Sequence, residues 1–168
     1  MNNSSELKKK FSFSPKDLNI REIIGNTTEL FEQDLRLKNI NISMELSLAV
    51  VVHADQEMLS AILRNLLSNA IKFSEMDSMI IIRTFLDDIW FCLEIEDFGI
   101  GMDERIKNKI LSKSIVPASI DAKNDMGVGM GLALSKEFIL NHDGLLEIHS
   151  IIGEGTTVKI KLPLNQTK

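Results

Sequence analysis

The longest regular pattern in the chain is a wide apolar stripe between Asp55 and Phe73. Apolar residues recur there every three or four positions, which is the spacing of one helix face packed on a core. The stripe consists of Leu59, Ile62, Leu63, Leu66, Leu67, Ala70 and Ile71. The pattern predicts a helix over residues 55–73 with Asp55 as its N-cap, because a carboxylate there can accept the free N–H groups of the first turn.

Alternating or branched apolar runs predict strands on both sides of this helix. These runs are residues 41–46, 49–53, 79–85, 90–96, 145–151 and 156–162. The runs MIIIRTF and WFCLEIE are close enough, across residues 86–89, to form an antiparallel hairpin. Further helices are predicted over 18–37, weakened at Gly25, near 104–111, and over 131–141. Residues 102–126 otherwise read as a long mobile connection of the kind that often serves as a lid.

Composition indicates a globular domain, because 44% hydrophobic and 26% charged residues can fill one core and solvate its surface. A net charge of −5 over 168 residues offers no broad basic footprint, so nucleic-acid binding is not expected. No apolar run reaches the roughly 18 residues of a membrane span. We therefore expect a cytoplasmic domain without membrane contact of its own, although it could be cut from a larger membrane protein. The single cysteine, Cys92, is interpreted as a core residue.

Seven of the nine glycines occur in three clusters. The clusters are Gly99 and Gly101; Gly127, Gly129 and Gly131; and Gly153 and Gly155. The middle cluster, in GVGMGLAL, opens a predicted helix and could cradle phosphates with backbone N–H groups, or could serve as a hinge. Its spacing is neither the dinucleotide fingerprint nor a P-loop. The glycines alone leave both interpretations open.

The letters Asp97-Phe98-Gly99 also occur in eukaryotic protein kinases, but the rest of that signature is missing and the chain is too short for two kinase lobes. Asp97 is instead predicted to lie at a strand end, with Phe98 as a packing residue. On the helix over 55–73, Asn65, Asn69 and Lys72 share a second face. Asparagine is a poor mid-helix residue, so this face is either a solvated surface or a site for Mg²⁺ and phosphate.

Four motifs in order, NLLSNAIKF, DFGIGM, GVGMGLAL and GEGTTVKIKLP, resemble the ATP-binding catalytic domain of bacterial sensor histidine kinases. This domain belongs to a wider superfamily that includes DNA gyrase. The resemblance implies an α/β (α+β) two-layer sandwich, with a mixed, mostly antiparallel sheet of about five strands covered on one face by about three helices. It also implies a domain over 13–164, preceded by a linker or helix end over 1–12 and followed by a tail over 165–168.

The resemblance further implies ATP and Mg²⁺ as cofactors and assigns roles to matching residues. Asn69 resembles the Mg²⁺ ligand, Asn65 and Lys72 resemble the polar and phosphate contacts of the catalytic step, and Asp97 resembles the carboxylate that reads adenine. The remaining nucleotide contacts implied are Gly99, Gly101, Gly127, Gly129, Gly131, Leu132 and Thr157, the last as a hydroxyl supporting Asp97. A threonine in a strand can equally have a purely structural role, so both interpretations of Thr157 stay open.

The implied activity is transfer of the γ-phosphoryl group to a histidine on a separate helical hairpin, followed by signalling to a response regulator. Gyrase-like relatives carry a glutamate base at the position of Asn65, and an amide cannot replace it, so direct hydrolysis should be slow. None of His53, His142 and His149 resembles the acceptor, and His142 is expected at a helix C-terminus that favours a cation. The hairpin is therefore expected upstream, joined through LKKKFSFSP.

The predicted lid departs from the family, which usually has a phenylalanine-bearing box there. In KILSKSIVP the matching positions hold Leu111 and Ile115, and Lys113 and Lys123 are either phosphate contacts or solvated surface lysines. Two other functions therefore stay open. One is a nucleotide-responsive interaction module with no transfer, and the other is a serine-directed relative of the anti-sigma-factor kinases.

Overall fold

The computed structural model describes residues 12–47, 51–112 and 130–164, which form helices on one face of a β-sheet. In chain order the elements are β1 (Pro15–Asn19), α1 (Ile20–Leu30), α2 (Glu32–Lys38), β2 (Asn41–Leu46), β3 (Val51–Asp55), α3 (Gln56–Phe73), β4 (Met79–Asp87), β5 (Trp90–Asp97), α4 (Glu104–Ser112), α5 (Met130–Asn141), β6 (Leu145–Ile151) and β7 (Gly155–Pro163). The main sheet has the order β2-β4-β5-β7-β6, and β1 pairs with β3 separately.

The sheet is mixed, because β2 runs parallel to β4 while the other neighbours are antiparallel. The predicted two-layer fold with a mostly antiparallel sheet of five strands is confirmed. Five helices, rather than about three, are present in the described part of the chain. Two features were not predicted: the division of the first helical segment into α1 and α2, and the short strand β1.

The two faces of the sheet differ in chemistry because side chains alternate along each strand. On the inner face, Leu93 and Ile160 are paired across β5 and β7 and are fully buried beneath the helices. On the outer face, the ammonium of Lys159 lies 2.9 Å from a carboxylate oxygen of Glu94 and 3.8 Å from one of Glu147. The outer face is thus stabilised by ion pairs between strands, and the core lies between the inner face and the helices.

Helix α3 is the central element of the helical layer. Its predicted N-cap is confirmed, because Oδ1 of Asp55 accepts the N–H of Met58 at 3.0 Å. All seven residues of the predicted apolar stripe are buried. The polar residues Asn65, Asn69 and Lys72 lie outside this buried stripe. The position of α3 therefore determines where the predicted site lies.

Lys38 fixes the C-terminal end of α3, although it belongs to α2. Its ammonium donates to the carbonyls of Ile71, Lys72 and Ser74 at 2.8, 3.0 and 3.0 Å. The carbonyls of Ile71 and Lys72 belong to the last turn, where the negative end of the helix dipole lies and carbonyls lack a partner within the helix, and Ser74 is the C-cap. A distant lysine therefore caps the turn that reaches the candidate site.

The amphipathic segment predicted over 18–37 is divided into two helices at Phe31, and is not interrupted at Gly25. The hydroxyls of Thr27 and Thr28 donate to carbonyls four and three residues earlier, at 2.7 and 2.8 Å. Such bonds compete with the helical backbone pattern. They weaken the helix in its last turn, which ends at Leu30.

Candidate functional site

A small cavity lies between α3, β5, β7 and the start of α5. Its lining consists of Leu66, Asn69, Ala70, Phe73, Ile95, Asp97, Met102, Leu132, Thr156 and Val158. The cavity encloses about 30 Å³, which is room enough for a water molecule. The walls are mostly apolar with a few polar groups, which is typical of a ligand site.

Asp97 is the charged group of this lining and lies at the last position of β5. Its side chain is 7% exposed, and Oδ1 accepts the N–H of Gly99 at 2.9 Å. Burial raises the pKa of Asp97, and the backbone N–H groups of Gly99 and Thr156 oppose this rise only in part. No cation in the described part of the chain forms an ion pair with this carboxylate. A buried, unpaired carboxylate facing a cavity is a candidate for ligand recognition.

Two glycines let the segment after Asp97 pass between α3 and the turn that joins β6 to β7. A Cβ atom on Gly99 would lie 2.0 Å from the carbonyl oxygen of Phe73, and one on Gly101 would lie 2.0 Å from that of Ile151. Gly101 also has a φ of +64°, which disfavours other residues. Close backbone packing therefore requires both glycines, and their predicted passage beneath a base stays a prediction.

The predicted polar face of α3 is divided between three environments. Asn69 is half-buried and lines the cavity, while Lys72 is exposed, its ammonium 5.3 Å from the ring centre of the next phenylalanine. Asn65 lies against α5 instead, where its amide nitrogen donates to the carbonyl of Gly131 at 3.1 Å and to Oγ of Ser135 at 3.2 Å. Of the three, only Asn69 shares the cavity with Asp97.

The start of α5 supplies two of the predicted nucleotide contacts. A Cβ atom on Gly131 would lie 3.4 Å from Cγ of Asn65, an ordinary contact, so this glycine is not required by packing alone. Leu132 is buried and lines the cavity. Gly127 and Gly129 lie outside the described residues, as do Lys113, Ile115 and Lys123 of the predicted lid. Leu111, next to the last described residue of that region, is packed against the core.

The threonine paired with Asp97 in the sheet is Thr156, and the role of Thr157 as a nucleotide contact stays a prediction. The register pairs Asp97 with Thr156 and Glu96 with Thr157, so the two threonines lie on opposite faces of the sheet. Thr156 lines the cavity beside its strand partner Asp97. The alternation of TTVKIKL carried this signal, since Thr156 shares its face with the apolar residues and Thr157 shares the face of the lysines.

Phe98 is not the packing residue that was predicted. Its side chain is 44% exposed, and Ile100, Ile151 and Ile152 at the same end of the sheet are exposed as well. The chain turns sharply after Asp97 to pass beneath α3, and this turn directs Phe98 outward. The three-letter motif thus places one buried carboxylate next to one exposed ring.

His142 follows the C-terminus of a helix as expected, but it is not the cation that this position was expected to favour. Its side chain is fully buried, Nε2 accepts the N–H of Asp55 at 2.9 Å, and Nδ1 donates to the carbonyl of Phe138 at 2.6 Å. Because Nε2 accepts a hydrogen bond, the ring is neutral in this arrangement. Burial correspondingly lowers the pKa of His142. The residue joins the end of α5 to the N-cap of α3.

The oxygen ligands available at the cavity determine whether it fits the predicted Mg²⁺. The described residues contain no group of three His, Cys, Asp or Glu side chains that could hold a metal by themselves. The amide oxygen of Asn69 at the cavity is a hard ligand of the kind Mg²⁺ accepts, alongside water and phosphate oxygens. The described residues at the cavity therefore fit a metal that arrives together with a nucleotide.

Comparison with known proteins identifies the class to which this fold and site belong. The family described as histidine kinase-, DNA gyrase B- and HSP90-like ATPase matches residues 54–166, so the chain belongs to this family of ATP-binding domains. The match covers α3, the cavity and the whole main sheet except β2. The resemblance inferred from the four sequence motifs is confirmed.

Individual relatives agree with this assignment. The chain is 28% identical over 157 residues to the circadian input-output histidine kinase CikA of Synechococcus elongatus, covering 92% of this chain and 21% of that protein. It is 32% identical to the sensor protein BceS of Halalkalibacterium halodurans, covering 92% of this chain and 47% of that protein. The chain therefore spans about a fifth to a half of the length of these curated relatives.

Solved structures support the fold. The catalytic domain of histidine kinase ThkA superposes with a TM-score of 0.76 at 23% identity, covering 90% of this chain and 96% of that chain. Full-length ShkA in complex with AMPPNP superposes with a TM-score of 0.77 at 21% identity, covering 94% of this chain and 32% of that chain. Across the ranges that the structure describes, no helix is long and apolar enough to cross a membrane.

Proposed function

We propose that the chain binds Mg-ATP at the cavity and donates the γ-phosphoryl group to a histidine on a helical hairpin elsewhere in its parent protein. The observation that carries this proposal is the placement of a buried carboxylate, Asp97, in the same cavity as Asn69. Membership of the ATPase family supports the nucleotide, and the histidine kinases among the relatives support the acceptor. The same proposal places the domain in the cytoplasm.

The base is recognised at the Asp97 end of the cavity. A carboxylate accepts the exocyclic amine of adenine, whereas guanine presents a carbonyl that the carboxylate repels. Leu132 and Val158 supply apolar surface against the faces of the ring. Gly99 and Gly101 hold the backbone beneath it. This arrangement selects adenine nucleotides.

The phosphates lie toward the polar face of α3 and the start of α5. Asn69 supplies its amide oxygen to Mg²⁺, Lys72 supplies a positive charge, and Gly127, Gly129 and Gly131 supply backbone N–H groups. The metal, when bound, neutralises charge on the phosphate oxygens. Asn65 cannot act as a general base, because a carboxamide is too weak a base to take a proton from water, and its NH2 group donates to α5. Water is therefore not activated, and hydrolysis is slow.

In the transfer step a neutral imidazole nitrogen of the acceptor forms a bond to the γ-phosphorus. The bond between that phosphorus and the bridging oxygen of the β-phosphate breaks, and ADP leaves. This chemistry depends on positioning and charge stabilisation. His142 is not a candidate acceptor because it is buried with both ring nitrogens bonded. The partners are accordingly the histidine-containing hairpin and a response regulator.

Nucleotide titration tests the first half of the proposal. ATP and ADP should bind the chain more tightly than GTP, and Asp97→Asn should weaken ATP about tenfold to hundredfold, as expected for loss of a hydrogen bond to a charged group. Asp87→Asn is the matched control, because this exposed aspartate lies at the other end of the sheet. Equal affinity for ATP and GTP would contradict the role of Asp97.

A transfer assay tests the second half. The chain is mixed with the helical hairpin of its parent protein and radiolabelled ATP, and acid-labile phosphate should accumulate on the hairpin. Acid-stable phosphate would indicate a serine-directed kinase instead. ATP binding without phosphate on any partner, even with the hairpin in the same chain, would indicate an interaction module.

A further inference from the structure

The hydroxyl of Ser150, near the end of β6, connects three parts of the cavity wall. Its oxygen accepts the N–H of Met102 at 2.9 Å and donates to the carbonyl of Gly155 at 3.0 Å. It also lies 2.7 Å from Oγ1 of Thr156. Both Met102 and Thr156 line the cavity, whereas Ser150 does not. Ser150 is thus hydrogen-bonded to residues of the cavity wall without lining the cavity itself.

The directions of these hydrogen bonds follow from the capacity of a hydroxyl group, which has one hydrogen and two lone pairs. The N–H of Met102 occupies one lone pair of Ser150. The carbonyl of Gly155 can only accept, so it takes the hydrogen of Ser150. The hydroxyl of Thr156 must then donate its own hydrogen to the second lone pair of Ser150. The reverse arrangement would leave two oxygens facing each other at 3.0 Å without a hydrogen between them.

The hydrogen of Thr156 is therefore directed away from the cavity, and its lone pairs remain available on the cavity side. The neighbouring Asp97 is also an acceptor when it is ionised. Asp97 and Thr156 then both present hydrogen-bond acceptors at this edge of the cavity. A base with an amino group at this edge is accommodated, and a base with a carbonyl there meets two acceptors.

We infer that Ser150 is a positioning residue for base selection, acting by holding the Thr156 hydroxyl as an acceptor. This inference rests on the proposed function, because it assumes that a purine base reaches Asp97. Without Ser150 the Thr156 hydroxyl can rotate and donate to a 6-carbonyl group. Loss of Ser150 should therefore strengthen the binding of 6-oxo purines more than it weakens the binding of adenine.

The experiment compares ATP with inosine triphosphate, which carries a carbonyl in place of the 6-amino group. Affinities are measured by calorimetric titration for the wild-type chain, Ser150→Ala and Ser150→Thr. In Ser150→Ala the preference for ATP over inosine triphosphate should fall about tenfold, the effect of one gained or lost hydrogen bond. Ser150→Thr keeps a hydroxyl and should keep the preference. The ratio of ATP to ADP affinity should not change, because the phosphates are distant from this edge.

Thr84→Val is the matched control. The Thr84 hydroxyl accepts the N–H of Ser47 at 3.0 Å on strand β4, away from the cavity. Its loss removes a similar backbone contact, so stability should fall while base preference stays at the wild-type value. In a Thr156→Val background, Ser150→Ala should have no further effect on base preference. A general loosening of the fold would not give this pattern.

The outcomes separate the inference from the function on which it rests. Failure of the wild-type chain to bind ATP would overturn the proposed function and the inference with it. Normal ATP binding together with an unchanged base preference in Ser150→Ala would overturn the inference alone. If Ser150→Ala does not fold, Ser150→Cys keeps the volume with a weaker hydrogen-bonding group and should show the same fall in preference.

Discussion

Two buried ionisable groups lie at opposite ends of α3, and they differ in what their polar atoms contact. His142, at the N-terminal end, has its ring nitrogens bonded to the backbone of Asp55 and Phe138. Asp97, at the C-terminal end, accepts the backbone N–H of Gly99 on one side and faces the cavity on the other. Burial favours the neutral form of each group, so it raises the pKa of Asp97 and lowers the pKa of His142.

The comparison shows that burial and a shifted pKa do not by themselves identify a functional residue. His142 uses its two ring nitrogens to connect secondary-structure elements, so its burial stabilises the fold. Asp97 keeps acceptor capacity toward a cavity that also holds Asn69, so its burial costs free energy that a bound base can recover. The predictions below test this distinction, from the largest expected effect to the smallest.

Replacing His142 should affect stability strongly and base selection little. His142→Ala leaves the N–H of Asp55 and the carbonyl of Phe138 without their partners and opens a cavity, at a cost of about 4 kcal/mol. Denaturant unfolding measures this loss. His149→Ala is the matched control, because that histidine is exposed on β6 and its loss should cost less than about 0.5 kcal/mol. A small effect at His142 would mean that its bonds are not structural.

The two ends of the cavity should respond differently to an added methyl group. Gly99→Ala places a Cβ against the Phe73 carbonyl and should destabilise the fold by about 3 kcal/mol. Gly131→Ala meets only an ordinary contact with Asn65 and lies in a helix, so its effect on stability should be within about 1 kcal/mol. Thermal unfolding of both variants measures the difference, and similar midpoints would contradict the packing argument.

The two buried groups should contribute opposite slopes to the pH dependence of stability. The pKa of His142 is lower in the folded than in the unfolded state, so its contribution is present above about pH 6.5 and is lost as pH falls. The pKa of Asp97 is raised, so its contribution is present below its ordinary value near 3.9 and is lost as pH rises through the folded value.

Urea unfolding between pH 7 and pH 5 measures the first of these slopes. The wild-type chain should lose more stability over this range than His142→Gln, which cannot take up the proton. Asp97→Asn should remove the opposite contribution. Parallel profiles for the wild type and His142→Gln would show that protonation of His142 does not destabilise the fold.

The lysine cap at the cavity end of α3 should have the smallest effect. Lys38→Met removes three hydrogen bonds to backbone carbonyls. Water can replace these bonds in part, so the expected loss of stability is about 1 kcal/mol. Lys16→Met is the control, since Lys16 is exposed on β1. Chemical denaturation resolves this difference. Equal stability of the two variants would show that the cap is not needed.

Local patterns were sufficient to predict most of the elements. The stripe of α3, its N-cap and the β4–β5 hairpin follow from residues close together in the chain, where periodicity and capping act. The boundary between α1 and α2 could not be predicted from the apolar spacing, because the threonine hydroxyls in the last turn of α1 do not change that spacing. Strand β1 was missed for a related reason, since its pairing partner β3 lies more than thirty residues away.

The sequence by itself determined the fold class, the family and the candidate residues Asp97 and Asn69, because ordered motifs and short-range spacing encode them. Only the tertiary structure decided that Thr156 and not Thr157 lies beside Asp97, that Asn65 bonds to α5, and that His142 is buried and neutral. Each of these depends on strand register or on contacts between residues far apart in the chain. Desolvation and hydrogen-bond direction exist only after those contacts form, so no local pattern carries them.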